Sequence, residues 1–242
     1  TNYFQTVPKN ALDTALWLES DRMGHFRDSI TQAKLDEQRG VVQNEKRQGD
    51  NQPYGKVFEE ILKQLFPPDH PYSWETIGSM DDLNAASLAD VKQWFETYYG
   101  PGNAVVVIAG DVDTEEAFAK AQTYFGDIAP GPPLGRFEEW IPTHDQVRRR
   151  SLQDRVAQPR LYLAWTGPRW GTQDAFKLEL ASTVLAGDKN SRLYERLVYR
   201  DQIASDVEFG TMALEIAGVT YLQVSAQPGV SLERLENAVN EE

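Results

Sequence analysis

The chain has 242 residues, with 24 Lys or Arg against 37 Asp or Glu, for a formal net charge of -13. That balance argues against a general nucleic-acid binder, which needs clustered Lys and Arg to neutralise phosphate, and against adhesion to anionic lipid. Hydrophobic content of 40% is enough for real cores, and the absence of cysteine excludes disulfides, thiolate metal sites and Cys nucleophiles, while no apolar run reaches the roughly 20 residues of a membrane span.

Residues 2–7 (NYFQTV) read as a strand ended by Pro8. Residues 9–23 read as a helix, with Leu12, Ala15, Leu16 and Glu19 at helical spacing and Gly24 as its stop. A second helix is expected from Thr31 to Gln48, stopped by Gly49. A third covers Gly55–Leu65, with Val57, Phe58, Ile61, Leu62 and Leu65 on one face. The turn-rich, aromatic stretch 66–79 reads as a long ordered loop packed on the core, His70 included. Ser87 and Asp90 resemble a capping box, opening a helix that turns Val91, Trp94, Phe95 and Tyr98 inward. Residues 103–109 (NAVVVIA) read as a strand buried on both faces. Asp111 and Asp113 follow it in turn and N-cap roles, and Glu115–Phe125 reads as a helix capped by Asp113 or Thr114.

PGPPLG at 130–135 begins a linker, and Arg148–Arg150 reads as a solvated interdomain basic run. Beyond it, Arg160–Thr166 is a strand and Gln173–Ala186 a helix with Phe176, Leu180 and Val184 on one face. A short helix capped by Ser191 runs to Tyr199. Residues 203–209 and 218–226 are strands, and Ser231 opens a last helix. The pattern predicts an α+β fold of two related domains, each a mixed or antiparallel sheet packed against helices. Their expected bounds are 1–135 and 151–242, joined by 136–150, with both domains truncated.

The histidines are His25, His70 and His144, and none has a helical partner for a two-histidine metal motif. There is no nucleophile elbow and no phosphate-binding glycine loop. The informative segment is LDEQRGVVQNEKRQ, residues 35–48. On a helix, Leu35, Gln38, Val42 and Glu45 fall along one side, so Glu45 is expected to point with the core-facing residues. An inward carboxylate is costly unless paired, hydrogen-bonded or bound to a metal. The ordinary reading, a helix-end Glu paired with an Arg or curled out to water, stays open beside a metal ligand.

That segment resembles the part of the pitrilysin/insulinase family of zinc metallopeptidases that supplies the third zinc ligand. TNYFQTVP with LWLESDRM, HPYSWETIGSMDDL, WFETYYGPGNAVVVIAGD and SRLYERLVYRDQIA are similar to further family segments, in the family's order. The resemblance implies Glu45 as a zinc ligand and Gln38 as a supporting residue, able to hydrogen-bond but without charge. The family's H-x-x-E-H, two zinc-binding His and a general-base Glu, is missing, which places it before Thr1. The chain is therefore read as a fragment of the metal-bearing half, inactive and without zinc by itself. The Arg and Tyr with which relatives hold substrate align with Val198 and Ser205. The complete protein is expected to take zinc, a peptide substrate and a second half or partner chain that closes over it. The alternative is a non-catalytic structural or substrate-holding homologue. Related long bacterial enzymes favour an exported or periplasmic location over the cytoplasm.

Overall fold

The computed structural model describes Thr1–Glu242. It forms two compact units: residues 1–46 with 79–136, and residues 47–78 with 137–242. In chain order the elements are α1 (Leu12–Gly24), α2 (Gln32–Asp50), α3 (Val57–Leu65), α4 (Met80–Ala85), α5 (Leu88–Tyr98), α6 (Thr114–Phe125), β1 (Arg160–Gly167), α7 (Gln173–Ala186), α8 (Arg192–Tyr194), β2 (Ala204–Ala213), β3 (Gly218–Ala226) and α9 (Leu232–Glu241). A π-helical turn, Glu195–Arg200, continues α8. The class is mixed α and β, with one three-stranded antiparallel sheet in the order β1-β3-β2.

The second unit is built on β3. Its neighbours pair with it on both sides, Leu163 and Phe209 opposite Leu222, and Leu161 and Val207 opposite Val224. Alternate side chains point to opposite faces of a strand. Leu222, Val224 and Ala226 therefore enter one apolar cluster with Leu197, Ile203 and Leu235. Val219 and the preceding Ala217 enter another with Ile61, Leu62, Leu65 and Phe66 of the α3 region. Gly210 lies opposite Tyr221, whose ring would stand 2.7 Å from any Cβ placed there. The loop after α3 is fixed by His70, which is fully buried. Its Nδ1 accepts from the Tyr72 amide at 3.0 Å, so Nε2 carries the proton donated to the Trp140 carbonyl at 3.0 Å.

The first unit is helical. Ser79, Ser87 and Asp113 cap α4, α5 and α6, and Ser87 with Asp90 forms the expected capping box. Leu16 of α1 and Phe95 of α5 are its buried apolar side chains. Lys120 of α6 donates to both carboxylate oxygens of Asp13 of α1, at 2.7 and 2.8 Å.

Several expectations are corrected. Residues 2–7 and 104–109 join no sheet, and Asn103 closes a 3-10 turn, so the first unit carries no strand. Val105 is 89% exposed and Val107 81%. A β-branched run supplies the preference for extended backbone, but a strand also needs a hydrogen-bonded neighbour, and none lies alongside. Helix α2 runs past Gly49. Trp94 points outward, its ring 4.3 Å from that of Tyr98 and tilted by 44° to it. The apolar stripe of α7 faces solvent, with Leu180 68% exposed, while Ser182 and Ala186 turn inward. The basic run is bound within the second unit. Arg148 donates to the Gln64 carbonyl at 2.6 Å, Arg149 grips Glu236 in bidentate fashion at 2.6 and 2.8 Å, and Arg150 lies 3.5 Å from Glu60.

Two outcomes follow from the second unit. Leu197→Ala is expected to cost about 2–5 kcal/mol by opening a cavity in a cluster with no exposed side, read as a lower denaturant midpoint at unchanged slope. A loss under about 1 kcal/mol would show that the cluster repacks. The Arg149 guanidinium holds the Glu236 carboxyl below its ordinary 4.5. A depressed folded-state pKa stabilises above the unfolded value, and that stability is lost as pH falls through the lower folded value. The Tm gap between the natural chain and Glu236→Gln should therefore begin to close as pH falls through the ordinary 4.5 and go on closing below it. A gap of constant size would refute the linkage.

Candidate functional site

Helix α2 carries the segment singled out by sequence. Its inward side is made by Leu35, Arg39, Val42, Gln43 and Lys46, of which only Lys46 is fully buried. Gln38, Val41 and Glu45 form an exposed stripe beside it. Glu45 thus points outward, not with the core-facing residues as expected. The centre of the buried side lies on Arg39, Gln43 and Lys46, and Glu45 falls about 125° away from it around the helix.

What fixes this rotation is polar. Arg39 donates through Nη1 to the carbonyl oxygens of Leu83 and Asn84, the latter at 3.2 Å, and through Nη2 to that of Ala86 at 2.8 Å. One turn on, Gln43 Nε2 donates to Asn84 Oδ1 at 2.7 Å. These acceptors lie where α4 ends and Ser87 caps α5, at carbonyls a helix terminus leaves without intrahelical donors.

Glu45 makes no hydrogen bond or ion pair in the structure, and its carboxylate stands open to solvent. A carboxylate oxygen is a competent zinc ligand, but a zinc centre needs three or four protein ligands. No group of three His, Cys, Asp or Glu side chains is assembled. Glu45 is a single exposed carboxylate with no such group around it.

The other candidates are structural. His70 is committed to two backbone groups, as described. Asp113 is the N-cap of α6, accepting from the Glu116 amide at 3.1 Å, and Asp111 lies 3.3 Å from Lys9 in an exposed pair. Val198 packs on the second unit's core, and the Ser205 hydroxyl donates to Gln158 Oε1 at 3.1 Å. The depression between α7 and the sheet is lined by Trp170, Phe176 and Met212, with Glu179 as its one titratable side chain. Arg39 and Gln43 are the functional candidates that sequence reading missed. Their signal was available: they lie four and eight residues after Leu35, on the side that Leu35 marks.

Comparison with known proteins adds to this geometry. A family profile described as "Peptidase M16 inactive domain" matches residues 85–242. The zinc protease PqqE of Helicobacter pylori is 28% identical over 245 residues, covering 99% of this chain and 54% of that protein. The beta subunit of the mitochondrial-processing peptidase of Blastocladiella emersonii is 28% identical over 151 residues, 62% of this chain and 32% of its own. A crystal structure of a protease from Helicobacter pylori superposes with a TM-score of 0.86 at 26% identity, over 97% of this chain and 57% of that one. The chain thus spans about half the length of the Helicobacter relative, or less in the mitochondrial one. No helix is long and apolar enough to cross a membrane.

Proposed function

The chain belongs to the M16 peptidase family, and we propose that it forms part of a zinc-dependent endopeptidase that hydrolyses peptides. One observation carries this reading: similarity extends over 99% of the chain to a protein named as a zinc protease. In this reading Glu45 is the carboxylate zinc ligand. Gln38, seven residues earlier on the same exposed stripe, is the supporting residue of the complete site, able to hydrogen-bond there without adding charge. By sequence, residues 1–135 are the remainder of the zinc-ligand domain, 136–150 a linker and 151–242 part of a second, related domain, while in the fold residues 47–78 and 137–150 pack with the second unit. The two His ligands and the general-base Glu of H-x-x-E-H come from outside these residues, and a second half or partner chain supplies the groups that hold substrate. Zinc, which activates a water for hydrolysis in such enzymes, belongs to the complete protein, and the isolated chain is inactive. Export is proposed over residence in the cytoplasm, following related bacterial enzymes.

A second reading, a non-catalytic structural or substrate-holding homologue, draws on the description of the matching profile as an inactive domain. Zinc content and peptidase assays separate the two. The complete protein should hold stoichiometric zinc and cleave peptides, and the isolated chain should do neither. Glu45→Gln in the complete protein should weaken zinc by more than the roughly 10–100-fold that loss of an outer-shell partner costs. Full zinc and full turnover in that variant would refute the ligand assignment. A complete protein with neither zinc nor peptidase activity would decide for the second reading.

A further inference from the structure

We infer that Arg39 is a positioning residue for Glu45, acting through the rotation of α2; this rests on the reading of Glu45 as a metal ligand. The two side chains do not share a face. Six residues apart on one helix, they stand about 9 Å apart along the axis and about 120° around it, so Arg39 acts only by fixing the helix. It is equipped to do so. Its planar guanidinium spans three acceptors within four residues, the carbonyls of Leu83, Asn84 and Ala86. A fork of fixed shape that meets several acceptors sets both azimuth and axial position, which the point charge of a Lys would not. The acceptors lie at the end of α4, where the helix dipole concentrates negative charge and favours a cation.

The rest of the helix shows why this clamp decides the rotation. No apolar residue of α2 is fully buried, and Leu35 and Val42 are only half-buried. Apolar packing therefore specifies the azimuth weakly. Gln43, bonded to Asn84 at 2.7 Å, repeats the attachment one turn later. A slip of α2 by one residue would swing Glu45 by about 100°, carrying its carboxylate off the stripe that it shares with Gln38 and Val41.

The test uses the complete protein. Zinc dissociation constants are measured by chelator competition and the visible spectrum is taken after Co2+ substitution, for Arg39→Ala, Arg39→Lys, Glu45→Gln and Asp113→Ala. Asp113→Ala removes the cap of α6 and serves as a stability control away from α2. Arg39→Ala should weaken zinc roughly 10–100-fold, the range seen when outer partners of a metal site are lost, and should alter the Co2+ spectrum. Arg39→Lys should recover only part of the affinity, and Asp113→Ala should lower Tm while leaving constant and spectrum unchanged. Zinc loss in Glu45→Gln with an unchanged constant in Arg39→Ala would overturn the positioning role alone. Equal zinc loss in Asp113→Ala would reduce Arg39 to general stability and overturn it too. Zinc retained by Glu45→Gln would bring down the ligand reading and this inference together. If Arg39→Ala does not fold, Arg39→Lys and Gln43→Ala decide by the same measurements.

Discussion

Burial of both faces of β3 is the constraint on which the second unit depends. The strand is paired on each side, so its backbone groups are satisfied by β1 and β2. Its even-numbered side chains from Leu222 to Ala226 feed one apolar cluster, while Val219 and the preceding Ala217 feed the other. This parity also sets the register. A shift of one residue would exchange the faces, driving Gln223 and Ser225 into the cluster that now holds Leu222 and Val224. Partnerless polar groups there would cost more than the apolar exchange could return. The first unit has no such strand. Its order comes from capped helix ends and a few polar attachments between helices, a looser kind of specification.

The parts of the fold legible from sequence are those whose partners are also strongly patterned. The segment Arg160–Thr166 was expected as a strand and is found as Arg160–Gly167; 218–226 was expected and is found. The N-caps Ser87, Asp113 and Ser231 were readable because a cap is a local arrangement, closed within four residues. NAVVVIA failed for the opposite reason. Its composition reports preference for extended backbone and apolar surroundings, but pairing is a relation between segments, and no second segment lies beside it. The stripe Phe176, Leu180 and Val184 misled in the same way. Helical spacing identifies an apolar face and is silent on whether anything covers it.

Helix α2 shows a subtler failure. Leu35 and Val42 mark a face of the helix, but apolar residues alone do not locate its centre. Arg39, Gln43 and Lys46 complete it, and long polar side chains can line an inward face when their stems pack and their heads find acceptors. For Arg39 those acceptors lie more than forty residues along the chain. Nothing in a local pattern announces such a meeting, so the centre was misplaced toward Glu45 and the carboxylate was turned the wrong way.

The corrected rotation changes the energetic argument about Glu45. An inward carboxylate would demand a compensating charge or metal merely to be tolerated. An outward one demands nothing, so its position is no longer a sign of chemistry by itself. What replaces that sign is the unusual way in which α2 is held. Its azimuth is set by a guanidinium and an amide bound to one helix end, and its apolar contacts are slight. A helix whose only duty was to cover a core would be specified by apolar side chains, which need no directed geometry. Directed polar contacts specify angle as well as proximity, and angle is what an exposed ligand must inherit from its backbone if it is to meet a metal in one orientation. The family profile covers residues 85–242 and similarity to a zinc protease runs over 99% of the chain, but function resides in sites, not folds. The attachment of Arg39 and Gln43 to the end of α4 is therefore what fixes where Glu45 stands, whatever that carboxylate meets.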